Sequence, residues 1–162
     1  MSDYFEDKVV WITGASSGIG RQTALEFARK GAHLALSARR REALEEVASQ
    51  VREYDRDALV VPCDVTEVDQ IESAVDQIVE HFGRLDVTMA NAGFSVTGPI
   101  RELEEHEWRR QFDVNVIGLA MTAKAAIPEL EKSDGRLALI GSVAGLVPVP
   151  GNGAYGASKA AV

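Results

Sequence analysis

The chain is expected to fold as an α/β domain, a doubly wound parallel sheet in the order βαβαβαβαβ. Three observations predict this. Short continuous apolar runs alternate with amphipathic helical patterns along the sequence. A glycine-rich turn, Thr13-Gly14-Ala15-Ser16-Ser17-Gly18-Ile19-Gly20, joins the first run to the first helical stretch. Breakers such as Gly31, Pro62 and Gly83 fall between the periodic segments rather than within them.

The elements follow in order. Val9-Val10-Trp11-Ile12 is apolar without alternation, the pattern of a strand buried on both faces, and it places Trp11 in the core. A helix is expected from about Gly18 to Lys30, closed by Gly31. Leu34-Ala35-Leu36 forms the second strand, and Leu44, Val47, Ala48 and Val51 mark one face of the next helix. Ala58-Leu59-Val60-Val61 is a third strand stopped by Pro62. Val68, Ile71, Val75, Ile78, Val79 and Phe82 then repeat at helical spacing. The fourth strand is read over Leu85–Ala90, and a long helical region follows from about Glu104 to Lys132, with a bend near Asn115. Its acidic start, Glu102, Glu104, Glu105 and Glu107, suits the positive end of a helix. Leu137-Ala138-Leu139-Ile140 is the fifth strand, and a Pro/Gly-rich loop leads into a last helix.

With 162 residues the chain reads as a single dinucleotide-binding domain over 1–162. Hydrophobic residues make up 46% and charged residues 26%, as in soluble globular proteins. A net charge of −8 repels phosphate backbones, so nucleic acid is not an expected partner and any phosphate site must be local. The lone Cys63 excludes an internal disulfide and fits a buried structural thiol. The acidic start Met1–Asp7 lacks the apolar segment of a secretory signal, and no run is long enough to span a bilayer; the cytoplasm is the expected location, with no membrane partner. His33, His81 and His106 show no metal-ligand spacing, so no metal is expected. Trp108 suits either the core or an interface.

Candidate site residues sit at strand ends. Glycines in the turn after the first strand permit a tight bend and let a diphosphate approach backbone N–H groups at a helix start; Gly14, Ser16, Ser17, Gly18, Ile19 and Gly20 are the candidates. The second strand ends Ser37-Ala38-Arg39-Arg40-Arg41, with no acid between Glu26 and Glu42. An acid there would bind a ribose 2′-OH, whereas arginine suits a 2′-phosphate. A solvated basic run is the alternative, yet cations at a helix start oppose its macrodipole. Arg39 and Arg40 therefore point to NADP(H) in preference to NAD(H). Asp64 and Val65, after the third strand, fall beside the adenine position; Asp64 either accepts from the exocyclic amine or caps a turn. Asn91, Ala92 and Gly93 either let backbone pass close to a cofactor or mark only a turn. Tyr155 and Lys159 are one helical turn apart on one face. A phenol titrates near about 10 and a nearby ammonium favours its anion, so the pair suits proton exchange with an alcohol or carbonyl.

Taken together, Thr-Gly-x-x-x-Gly-x-Gly at Thr13–Gly20, Asn91-Ala92-Gly93, Asn115, Ser142 and Tyr155-x-x-x-Lys159 resemble the short-chain dehydrogenase/reductase family, over Lys8 to Val162. The three-residue gap between Gly14 and Gly18 looks like its common oxidoreductase branch rather than the extended branch of dehydratases and epimerases. The resemblance implies a Rossmann-like fold and hydride transfer between a nicotinamide and a small-molecule alcohol or carbonyl. It implies Tyr155 as acid/base, Lys159 acting on that phenol and on the nicotinamide ribose, Ser142 polarising the substrate oxygen, and Asn115 in a proton relay. Each has a plainer alternative: a turn cap for Ser142, a helix backbone group satisfied by Asn115, a surface charge for Lys159. Relative to the family pattern the chain reads as incomplete at its C-terminal end, the N-terminal part of a longer domain whose parent is a homodimer or homotetramer. A fragment that binds nucleotide without turnover is the alternative to an active enzyme.

Overall fold

The computed structural model describes residues 4–162; of the acidic start, Met1, Ser2 and Asp3 lie outside the described residues. Five parallel strands form one sheet in the order β3-β2-β1-β4-β5. They are β1 (Val9–Thr13), β2 (His33–Ser37), β3 (Ala58–Val60), β4 (Val87–Ala90) and β5 (Arg136–Leu139). The helices between them are α1 (Gly18–Arg29), α2 (Arg41–Arg52) and α3 (Val68–Phe82), then α4 (Glu105–Phe112) and α5 (Leu119–Ser133) before β5, and α6 (Gly153–Ala160) after it. This is the Rossmann-like α/β architecture expected from the sequence.

Alternating side chains of the central strands supply two cores. Val10, Ile12, Leu34 and Leu36 face Ala24 and Ala28 of α1 and Leu44, Val47, Ala48 and Val51 of α2. Val9, Trp11 and Ala35 face Ile71, Ala74, Val75 and Ile78 of α3 and Ala126 and Leu130 of α5. A strand covered on both faces needs apolar residues at every position, which is why β1 reads as an unbroken run. Its indole N–H is satisfied inside, donating from Trp11 Nε1 to Ser37 Oγ at 2.9 Å.

Some boundaries differ from expectation. The fourth strand begins at Val87, not Leu85, because the Asp86 carboxylate takes the place of a ladder partner: Oδ2 accepts from the Val9 N–H at 3.0 Å. Lys8 Nζ and Arg84 also bond this carboxylate, which is 3% exposed. Burial pushes the Asp86 carboxyl up, but the Arg84 guanidinium, the Val9 N–H and Lys8 outweigh it and leave the group below its ordinary value. Val68 opens α3 and is exposed rather than on its buried face. The long fourth helical region divides into α4, a π-helical segment over Asp113–Gly118 and α5, so the bend expected near Asn115 is a widened turn. β5 runs one residue earlier than read and lies at the sheet edge, with Leu139 exposed.

After β1 the chain winds outward to β2 and β3, then returns to place β4 on the other side of β1. The crevice at the carboxyl ends of β1 and β4 is therefore the switch point, where ligands of such sheets bind.

Candidate active site

A cleft of about 960 Å³ opens at that switch point. Its first wall is the glycine turn. Gly14 and Gly18 have φ of +69° and +54°, a region costly for residues with a Cβ. At Gly18 an added Cβ would meet nothing within 4 Å, so the turn is open above the start of α1. Gly20 is packed instead: an added Cβ would lie 2.3 Å from the Gly14 carbonyl oxygen and 2.7 Å from Asn91 Nδ2. The turn is fastened to the segment after β4. Thr13 Oγ1 accepts from the N–H groups of Asn91 and Ala92, each at 3.1 Å, and Asn91 Nδ2 donates to the Thr13 carbonyl at 2.9 Å. Thr13, the first residue of the turn motif, thus positions the site through its hydroxyl.

Arg39 and Arg40 line the cleft beyond β2. Arg41 pairs with Glu45 at 3.6 Å, while neither Arg39 nor Arg40 meets a carboxylate at ion-pair distance among the described residues. Asp64 lines the same wall and also builds a turn, its Oδ1 accepting from the Thr66 N–H at 3.0 Å and the Thr66 hydroxyl at 2.8 Å. Cys63 is buried, and burial, with the Asp64 charge second, pushes its thiol up to about 11, which suits a structural thiol.

The other end of the cleft carries Ser142, Tyr155 and Lys159. Lys159 is nearly buried, and burial holds its ammonium below the ordinary lysine value. Nζ donates to the Ile140 carbonyl at 2.7 Å and lies 6.0 Å from the centroid of the Tyr155 ring. Ser142 Oγ accepts from the Ala144 N–H at 3.2 Å, capping a short 3-10 turn, and its own hydroxyl proton stays available. Asn115 is fully buried and does not line the cleft. Its Oδ1 accepts from the Phe94 N–H at 3.1 Å, and its Nδ2 donates to the Phe94 carbonyl at 2.9 Å and to Ser158 Oγ at 3.1 Å. Asn115 therefore ties the π segment to α6 beneath the site and serves the backbone of Phe94, which lies outside any helix, while Ser142 caps its turn. Sequence reasoning missed Gln111, one turn before Asn115 and also fully buried: Nε2 donates to the Phe94 carbonyl at 2.5 Å and Oε1 accepts from the Val96 N–H at 2.8 Å.

Among the described residues no group of His, Cys, Asp and Glu is arranged to hold a metal, and no helix is long and apolar enough to cross a membrane.

Known proteins share this sequence pattern and this fold. An uncharacterized oxidoreductase of Listeria monocytogenes is 39% identical over 158 residues, covering 97% of this chain and 64% of the relative. The 11-beta-hydroxysteroid dehydrogenase-like 2 of Arabidopsis thaliana is 40% identical over 157 residues, 96% of this chain and 51% of that protein. Among solved structures, NAD+-bound xylitol dehydrogenase superposes with a TM-score of 0.94 at 35% identity, over 98% of this chain and 62% of that one. An alcohol dehydrogenase from Thermococcus sibiricus, complexed with 5-hydroxy-NADP, gives 0.93 at 34% identity, over 96% and 67%. The chain spans 64% of the length of the first curated relatives. The family described as short chain dehydrogenase matches residues 8–162, the same span that carries the glycine turn at one end and the Tyr–Lys pair at the other, and the chain belongs to that family.

Proposed function

We propose that the chain binds NADP(H) along this cleft and interconverts an alcohol with a ketone or aldehyde. One observation carries the reading: a tyrosine, a desolvated lysine and a serine share a cleft with an open glycine turn and two unpaired arginines. The residues suit a dinucleotide. The glycine turn lines the cleft at the start of α1, where backbone N–H groups suit a diphosphate, and Arg39 and Arg40 offer guanidinium N–H groups where a 2′-phosphate would be met. Solved relatives carry NAD+ in one case and 5-hydroxy-NADP in another, so a nicotinamide is common to both, and the two arginines support the phosphorylated form.

A bound nicotinamide would supply or accept the hydride. The chain supplies the rest. Tyr155 gives its phenolic proton to the substrate oxygen in reduction and takes one in oxidation. Ser142 donates a hydrogen bond to the same oxygen, where negative charge develops. The Lys159 ammonium, anchored on the Ile140 carbonyl, faces the Tyr155 ring as a fixed positive charge. Asn115 and Gln111 hold the Phe94 backbone so that the floor of the site keeps its shape.

A panel of ketones and aldehydes followed by NADPH absorbance tests the activity. Tyr155→Phe is expected to lower kcat by at least about 100-fold while NADPH binding is unchanged; turnover that survives this change would contradict the assignment. Arg39→Ala is expected to weaken NADPH about tenfold and NADH little. Equal kcat/KM with the two cofactors in the unaltered protein would remove the NADP preference.

A further inference from the structure

The cleft wall holds a third arginine outside the residues considered so far. Arg110 lies on α4, is exposed and lines the cleft. Its guanidinium carbon sits 5.0 Å from the centroid of the Phe94 ring, within cation–π range. Arg109, next to it, is neutralised by Glu105 at 2.6 Å. Arg110 meets no carboxylate at ion-pair distance among the described residues, although α4 begins with several glutamates.

The platform under Arg110 is fixed. The Phe94 N–H is bonded to Asn115, and its carbonyl accepts from both Asn115 and Gln111. Gln111 also takes the Val96 N–H, so the backbone on both sides of Ser95 is held by buried amides. The segment Asn91–Phe94 floors the cleft. At one end it touches the glycine turn, where a Cβ on Gly14 would be 2.9 Å from Ala92 Cα. At the other it approaches the Tyr–Lys end, where a Cβ on Gly93 would be 3.7 Å from Lys159 Nζ. Arg110 is thus an oriented, un-neutralised cation beside this floor.

We propose that Arg110, seated on the Phe94 ring, recognises an oxyanion lying over Asn91–Phe94, in the first place a diphosphate oxygen of the dinucleotide. The inference rests on the dinucleotide reading of the cleft. A guanidinium can present two parallel N–H groups to a phosphate or carboxylate, and stacking on an aromatic face limits the orientations it must give up on binding. The other source of the same chemistry is a carboxylate or phosphate on the substrate.

Calorimetric titration of the full chain with ADP and with adenosine separates these cases. Arg110→Gln is expected to raise the Kd for ADP about tenfold and to leave adenosine unchanged. Arg110→Lys is expected to recover part of the loss, and the ADP increment to shrink with added salt. NADPH and NADH carry the same diphosphate, so Arg110→Gln is expected to weaken both equally, unlike Arg39→Ala. If ADP binding is unchanged but kcat/KM for keto acids falls about tenfold relative to neutral ketones, the oxyanion is the substrate's and the assignment of Arg110 stands. If neither moves, it is overturned while the dinucleotide site survives. An unaltered protein that binds neither ADP nor NADPH sinks the site and Arg110's role with it.

Discussion

Thr88 is a hydroxyl where the packing calls for a methyl. It is fully buried in the centre of β4, beside Trp11 and Leu137, and its Oγ1 has no protein partner among the described residues. Desolvating an unpaired hydroxyl costs more than it returns. Thr88→Val is expected to stabilise the fold by about 1 kcal/mol, read as a higher denaturant midpoint at constant slope. Gly20 gives the opposite case. Within a helix, Gly→Ala ordinarily gains up to about 1 kcal/mol, but here the new methyl would collide with the Gly14 carbonyl and the Asn91 amide. Gly20→Ala is expected to destabilise the protein by about 2 kcal/mol and to abolish ADP binding in the same titration. A Gly20→Ala protein with unaltered stability would show that the turn yields more readily than its contacts suggest.

At the scale of elements, the sheet divides sharply between centre and edge. All five residues of β1 are buried, paired to β2 along the whole strand and to β4 at Val10–Ile12, whereas β5 is paired only to β4 and largely exposed. Amide hydrogen exchange is expected to be slowest in β1 and fastest among the strands in β5, since opening an edge exposes little apolar surface; equal protection of the two would contradict this. The same contrast explains what the sequence disclosed. Leu44, Val47, Ala48 and Val51 announced the buried face of α2 because burial imposes a 3.6-residue period on composition. Glycines at Gly14 and Gly18 announced the turn because positive φ restricts residue choice. Gln111 and the Ile140 carbonyl were silent, because each works through a partner distant in sequence, and nothing local marks a glutamine that will be fully buried. The division of residues 105–133 into α, π and α segments was likewise visible only as an expected bend.

For the whole molecule, acid is the revealing perturbation. The end of the sheet opposite the cleft is held by Asp86, which joins Lys8, Arg84 and the Val9 N–H. Its carboxyl is depressed in the fold, so its contribution is complete above the unfolded value of about 3.9 and disappears as pH falls through the folded value. Stability is therefore expected to drop below about pH 4. Asp86→Asn is expected to cost about 2 kcal/mol at neutral pH and to flatten the acid limb, read by urea titrations across pH. An unchanged limb would assign acid sensitivity to other carboxylates of this net-negative chain.

The widened turn at Asp113–Gly118 has a consequence for phase. A π-turn accommodates one residue more than the α-helix on either side, and each residue of an α-helix advances the azimuth by about 100°. The extra position is absorbed within that one wide turn, so α4 and α5 keep a common phase. Deleting one residue there would leave a continuous α-helix as its simplest product, with Gln111 and Arg110 still turned toward Phe94, while Asn115, inside the turn, would lose its place between Phe94 and Ser158. A folded deletion variant that keeps ligand affinity but loses stability would be the signature of that local role.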